Sequence, residues 1–147
     1  MEGRQPGSTK TCGLAVAEFH LAVGVPPRFC DAQGMVHAIR YHEFLEDAFV
    51  AWLASRHLSY EELLRRDLDL VIGTSTIRYR APARLGDKLE VTCDAAGSSA
   101  STVTVDFTIA RCREILAEAR ITYIAVCRGR SAPLPVELSV SNGAGPD

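Results

Sequence analysis

Tyr41-His42-Glu43-Phe44-Leu45-Glu46-Asp47-Ala48-Phe49-Val50-Ala51-Trp52-Leu53 carries its large apolar side chains at Tyr41, Phe44, Leu45, Phe49, Trp52 and Leu53, with Ala48 between them. That is the i, i+3, i+4, i+7 spacing of one helical stripe. Arg40, Glu43, Glu46 and Asp47 fall on the opposite face. The pattern predicts a long amphipathic helix over about residues 38–55. So aromatic a stripe must be laid against something, and the rest of the chain supplies strands.

Upstream, Ala17, Phe19, Leu21, Val23 and Val25 alternate with Glu18, His20, Ala22 and Gly24. This is the period of two of a half-buried strand, and Pro26-Pro27 ends it. Downstream, Ser59 with Glu62 three residues later is a capping-box pattern, which predicts a short second helix over Tyr60 to Arg66. Four more strands follow. The first runs from about Leu70 to Ala81, and in the second Leu89, Val91 and Cys93 alternate with polar residues. In the third, Val103, Val105, Phe107 and Ile109 alternate with Thr102, Thr104, Asp106 and Thr108, across a hairpin turn read at Gly97-Ser98-Ser99. The last, about Ile115 to Cys127, is apolar on both faces in places, as a central strand is.

Strand, long helix, then four strands implies an α+β domain, a five-stranded antiparallel sheet wrapped around one long helix, plus a short helix. An open sheet has two edges, so a homodimer or homotetramer is expected. The chain has 147 residues, enough for one core. Residues 1–12 and 139–147 are polar and rich in Gly, Ser and Pro, and read as flexible tails on a single domain over 13–138.

Sixteen Lys and Arg against eighteen Asp and Glu give a net charge of -2. No basic field exists to hold a polyanion, so nucleic acid is not an expected partner. The most apolar N-terminal run, Gly13 to Val25, is broken by Glu18 and His20. Neither a membrane span nor a signal peptide is expected there. The five cysteines are odd in number, widely spaced and free of any Cys-x-x-Cys pair, which points to reduced thiols in the cytoplasm. His20, His42 and His57 lack metal-ligand spacing with acids or cysteines, so neither a metal nor a cofactor is expected.

Chemistry concentrates between the first strand and the long helix, in Arg28-Phe29-Cys30-Asp31-Ala32-Gln33-Gly34-Met35-Val36-His37-Ala38. Backbone N–H groups at a helix start lack partners, so the amides around Met35 to Ala38 suit a developing oxyanion. Asp31 is placed to act as base or nucleophile, or simply to cap the helix. His37 suits polarising a carbonyl or orienting water. Cys30 reads as a buried, inert thiol. Thr74 and Thr76 share a strand face with Arg78 and Arg80, a face polar enough to line a cleft or a subunit contact.

Asp31-Ala32-Gln33-Gly34-Met35-Val36, then Arg40-Tyr41 and the aromatic helix, then Tyr79-Arg80-Ala81-Pro82-Ala83-Arg84-Leu85-Gly86-Asp87 and Arg130-Ser131-Ala132-Pro133 together form a pattern. In that order, over about residues 17–138, it resembles the hotdog-fold acyl-CoA thioesterases of the 4-hydroxybenzoyl-CoA thioesterase type. The resemblance implies dimers joined sheet edge to sheet edge, often paired into tetramers, with active sites at the dimer interface. It places Asp31 at the catalytic carboxylate and the Ala38 backbone N–H at the group that polarises the thioester carbonyl. Gln33 and His37 become water-positioning candidates, and Gly34, Arg40, Tyr41, Thr74 and Thr76 substrate-binding ones. Ala38 stands where several relatives carry a Tyr, His or Asn side chain, so only its backbone carries over.

Some relatives grip the CoA phosphates with Arg and Lys at the hairpin between the third and fourth strands. Here that turn is Gly97-Ser98-Ser99-Ala100-Ser101. The acyl group is then expected on a carrier-protein arm, as for hotdog thioesterases of polyketide biosynthesis, or on CoA held by Arg84, Arg128 or Arg130. The leading expectation is hydrolysis of an acyl thioester to free acid and thiol. The alternative is a module that binds acyl thioesters without turnover. Dehydratase or hydratase chemistry would have only His37 and Asp31 to pair, and ranks last.

Overall fold

A computed structural model describes residues 17–141. The expected N-terminal tail lies outside them, as do residues 142–147 of the C-terminal one. Within the described part the order is β1 (Phe19–Gly24), α1 (Tyr41–Ser55), α2 (Tyr60–Arg65), β2 (Asp69–Tyr79), β3 (Lys88–Ser98), β4 (Thr102–Arg111), β5 (Glu114–Cys127) and β6 (Arg130–Ser131). The five long strands form one antiparallel sheet in the order β1-β3-β4-β5-β2. The two-residue β6, which has no hydrophobic period to announce it, pairs with the end of β5.

Period-two alternation sets which face of the sheet is buried. Val103, Val105, Phe107 and Ile109 of β4 face inward, together with Ala117, Ala119, Ile121 and Tyr123 of β5, and all are buried. Onto this face α1 lays the predicted stripe: Tyr41, Phe44, Leu45, Ala48, Phe49, Trp52 and Leu53 are its buried residues. Phe49 stacks flat on Tyr123 of β5, with ring centroids 3.7 Å apart. Burying each such side chain contributes about 1.5–3 kcal/mol.

The far end of α1 is pinned by polar contacts. Glu18, just before β1, takes the Trp52 indole N–H at 3.3 Å and the Ala95 amide of β3 at 3.2 Å. It also pairs with Arg56, whose guanidinium lies over the Trp52 ring. Ser59 caps α2 by accepting the Glu62 N–H, as expected, but the Glu62 carboxylate reaches Arg65 and Arg66 instead of closing the box. Beyond β6 the chain returns across the sheet, and the Val140 N–H donates to Ser98 Oγ at 2.9 Å.

One boundary and the phase of one strand differ from the sequence reading. The helix proper begins at Tyr41, and a 3-10 turn, Ala38–Arg40, precedes it. Neither start carries a side-chain cap, so Asp31 is not a helix cap. In β2 a bulge between Ile72 and Thr74 shifts the phase of the strand. Leu70 and Ile72 pair across from the inward residues Ala125 and Tyr123, and after the bulge Ser75, Ile77 and Tyr79 do so with Ile121, Ala119 and Ala117. Gly73 allows this close approach, since a Cβ there would lie 2.7 Å from Ile124 Cδ1.

Candidate active site

The loop from Asp31 to His37 is tied down by backbone hydrogen bonds, within itself and to neighbouring segments. Asp31 N–H donates to the Met35 carbonyl at 2.9 Å, and Gly34 N–H returns to the Asp31 carbonyl at 3.0 Å. Gly34 supplies the left-handed residue this turn needs, with φ +77°. Val36 N–H donates to the Ala83 carbonyl, His37 N–H to the Phe29 carbonyl, and Leu85 N–H to the Gly34 carbonyl. The segment after β2 therefore clamps the loop from outside.

Inside this frame Asp31 Oδ1 accepts the Gln33 N–H at 2.8 Å and the Met35 N–H at 3.1 Å. Those two donors, Met35 first, hold the carboxyl below the usual carboxylate range, with a smaller contribution from the His37 imidazole. Asp31 is exposed to solvent. Oδ2 has no hydrogen-bond partner among the described residues and is free to meet a reactant.

The sequence offered four amides, Met35 to Ala38, for an oxyanion. The structure narrows the choice, because Asp31, Ala83 and Phe29 occupy those of Met35, Val36 and His37. Ala38 N–H has no acceptor among the described residues, and Ala38 lines a pocket of about 290 Å³. Val36, Ala38, Tyr41, Tyr79, Ala81 and Pro82 are among its walls. An unpartnered amide at the positive end of a helix, on a residue that lines a cavity, suits the negative charge that develops on a carbonyl oxygen.

Of the other residues singled out in the sequence, Gly34 shapes the loop and Tyr41 serves the scaffold. Tyr41 is buried and its hydroxyl accepts the Ala83 N–H at 2.8 Å while its ring lines the pocket. Arg40 pairs with Glu43 at 2.6 Å and covers the Phe29 ring. Gln33 and His37 are exposed beside Asp31. Thr74 and Thr76 are not brought to this group. They pair with Thr122 and Arg120 on the outer face of the sheet, away from α1.

The three arginines suggested for CoA separate as clearly. Arg84 bridges to Met35, beside the Asp31 loop, and its side chain has no carboxylate partner among the described residues. Arg128 is paired with Asp67, and Arg130 lies in β6 at the Cys127 end of β5. The clamp segment sits at the Leu116 end, where the Arg80 N–H meets the Leu116 carbonyl. The two ends are roughly 35 Å apart along the strand.

Sequence reasoning missed Tyr79. It stands edge-on to Tyr41, with centroids 5.1 Å apart, and donates its hydroxyl to the Ala38 carbonyl at 3.0 Å. Its inward position follows from the alternation with Ile77, but its partner lies far off in sequence.

Residues 25–141 match the profile of the thioesterase-like superfamily. The 1,4-dihydroxy-2-naphthoyl-CoA hydrolase of Synechocystis is 28% identical over 110 residues, 71% of this chain and 80% of that one. The acyl-CoA thioester hydrolase YbgC of Escherichia coli is 38% identical over 61 residues, 42% of this chain and 46% of that one. The crystal structure of the Synechocystis 1,4-dihydroxy-2-naphthoyl-CoA thioesterase superposes with a TM-score of 0.74 at 27% identity, covering 81% of this chain and 90% of that one.

Proposed function

The chain belongs to the thioesterase-like superfamily and is an acyl thioesterase, and from that premise we propose that it hydrolyses acyl-CoA with Asp31 as the reacting carboxylate and the Ala38 N–H as oxyanion donor. The observation that carries this reading is the division of labour within Asp31: two amides hold Oδ1 and leave Oδ2 free. An ionised, oriented carboxylate either takes a proton from water or adds to the thioester carbon directly. The carbonyl oxygen then gains charge beside the Ala38 amide, and the thiolate of CoA leaves. Attack by water gives the free acid at once, whereas attack by Asp31 gives an acyl anhydride that a water then cleaves to the free acid and the Asp31 carboxylate. His37 and Gln33, exposed at the same loop, are the groups for positioning water.

CoA is favoured over a carrier protein as the thiol because Arg84 sits unpaired next to the loop, where a phosphate can reach it. Both named relatives above are described as acting on CoA thioesters, which supports the same choice. The test follows free thiol from a panel of acyl-CoA and acyl-carrier-protein thioesters. Arg84→Ala should raise KM for acyl-CoA and leave KM for the matching acyl-pantetheine unchanged. Faster turnover of carrier-protein thioesters would overturn the assignment to CoA.

The working unit we propose is a dimer paired through β2, whose outer edge is free in the sheet order. Exposed apolar residues gather at both ends of that strand: Ile39 and Tyr79 at one, Tyr60, Leu64 and Ile72 at the other. A two-fold axis through an antiparallel strand pair sets one end against the other, covering both patches at once. The same operation brings a second cavity, of about 200 Å³ between α1, α2 and the start of β2, to the partner's Ala38 pocket. Glu46, whose carboxylate accepts the Tyr60 hydroxyl at 3.4 Å, stands in its wall. That recess is the proposed seat of the acyl group.

A further inference from the structure

We propose that Tyr79 is a positioning residue for the oxyanion donor, a role that rests on the function proposed above. The Ala38 amide belongs to a 3-10 turn of three residues, and such turns hold themselves with poorer hydrogen-bond geometry than an α-helix. No side chain caps the turn from within. Three bonds fix Ala38, one on its amide side and two on its carbonyl side. On the amide side, the His37 carbonyl accepts the Arg40 N–H at 2.9 Å, which sets the plane of the peptide carrying the Ala38 N–H. On the carbonyl side, Ala38 accepts the Tyr41 N–H from within the turn and the Tyr79 hydroxyl, at 3.0 Å, from outside it.

Among the described residues, the Tyr79 bond is the only one from a side chain to the backbone of the turn, and it spans 41 positions in sequence. It anchors the turn to the last residue of β2 and so to the sheet. Tyr79 is itself held in place by its edge-on contact with Tyr41, whose hydroxyl is taken by the Ala83 N–H of the clamp segment. Turn, strand end and clamp are thereby joined through two tyrosines, and the pocket opens between them. A donor acts on a transition state only when its direction is set before the charge appears. Removing the Tyr79 hydroxyl leaves the Ala38–Ile39 carbonyl held by the Tyr41 N–H alone, while the ring keeps its contact with Tyr41. The turn can then shift against the sheet and carry the adjoining Ala38 N–H with it.

Tyr79→Phe is therefore expected to lower kcat about three- to tenfold, the worth of one neutral hydrogen bond. KM should stay within about twofold and the melting temperature within about 2 °C, because the side chain is half exposed and keeps its packing. A readout that packing alone does not move is the infrared carbonyl stretch of benzoyl-CoA labelled with carbon-13 at the thioester. Bound to Asp31→Asn, it should move to higher frequency when Tyr79→Phe is added, as the carbonyl loses polarisation. Unchanged kcat and an unchanged stretch would overturn the role of Tyr79 alone, provided Asp31→Asn still abolishes turnover. A fall in kcat accompanied by a raised KM and a lower melting temperature would overturn it in favour of a purely structural bond. Full turnover by Asp31→Asn would overturn the proposed function itself.

Discussion

Asp31 Oδ1 accepts the Met35 N–H at 3.1 Å, so a residue four positions along the chain fixes the orientation of the carboxylate that faces solvent. The same bond removes Met35 from the amides available to an oxyanion. One contact thus orients the proposed anion and takes Met35 out of the set of donors, while Ala83 and Phe29 take out Val36 and His37.

The pH dependence of turnover follows from that contact. Amides that bind the ionised form lower the Asp31 pKa, so its carboxylate, the proposed reacting group, persists as pH falls through the range where ordinary carboxyls take up protons. The profile of kcat/KM on the acid side should stay flat through pH 5 and fall only below the usual carboxylate range. Initial rates between about pH 3.5 and 8 with a non-titrating thiol reporter measure this. An acid limb near neutrality would assign the essential group to another residue.

Stability should depend most on the contact between α1 and the sheet. Phe49 is buried and stacked on Tyr123, so Phe49→Ala removes the helix ring that packs against the strand layer. The expected loss is about 3–5 kcal/mol, read as a lower urea midpoint at unchanged slope and fixed protein concentration. A loss below about 1 kcal/mol would show that the layers are not held through this stack.

The free edge of β2 predicts an assembly that a single charge can block. Ile72 is 52% exposed in the protomer, so Ile72→Lys should leave its fold intact. Sedimentation should shift from the dimer to the 15.9 kDa protomer, and turnover should fall at least a hundredfold. Dissociation with full activity would place the whole site within one chain.

Much of the fold was legible because burial writes its period into the residues. The stripe from Tyr41 to Leu53 and the alternation from Thr102 to Ile109 each face one layer, and the structure uses both as read. What escaped depends on backbone geometry or on distant partners. The start of α1 was placed three residues early because the Ala38–Arg40 turn carries no capping side chain to mark it. β3 continues past Cys93 through Asp94-Ala95-Ala96-Gly97, where no alternation remains to reveal a strand. Thr74 and Thr76 were correctly placed on one face with Arg78, yet only the pairing with β5 assigns that face to the outside of the sheet. In the site, Asp31 and Ala38 stand out through local order along the loop, whereas Tyr79 gains its partner only through the tertiary fold.

The most direct test compares wild type with Asp31→Asn. Asparagine keeps an oxygen that can accept the Gln33 and Met35 amides, so the loop should hold its shape while losing the anion. Free-thiol release from acyl-CoA, with circular dichroism to establish that both proteins are folded, should fall by at least a hundredfold in the variant with KM little changed. Release at the wild-type rate by a folded Asp31→Asn would contradict the assignment of Asp31 as the reacting carboxylate.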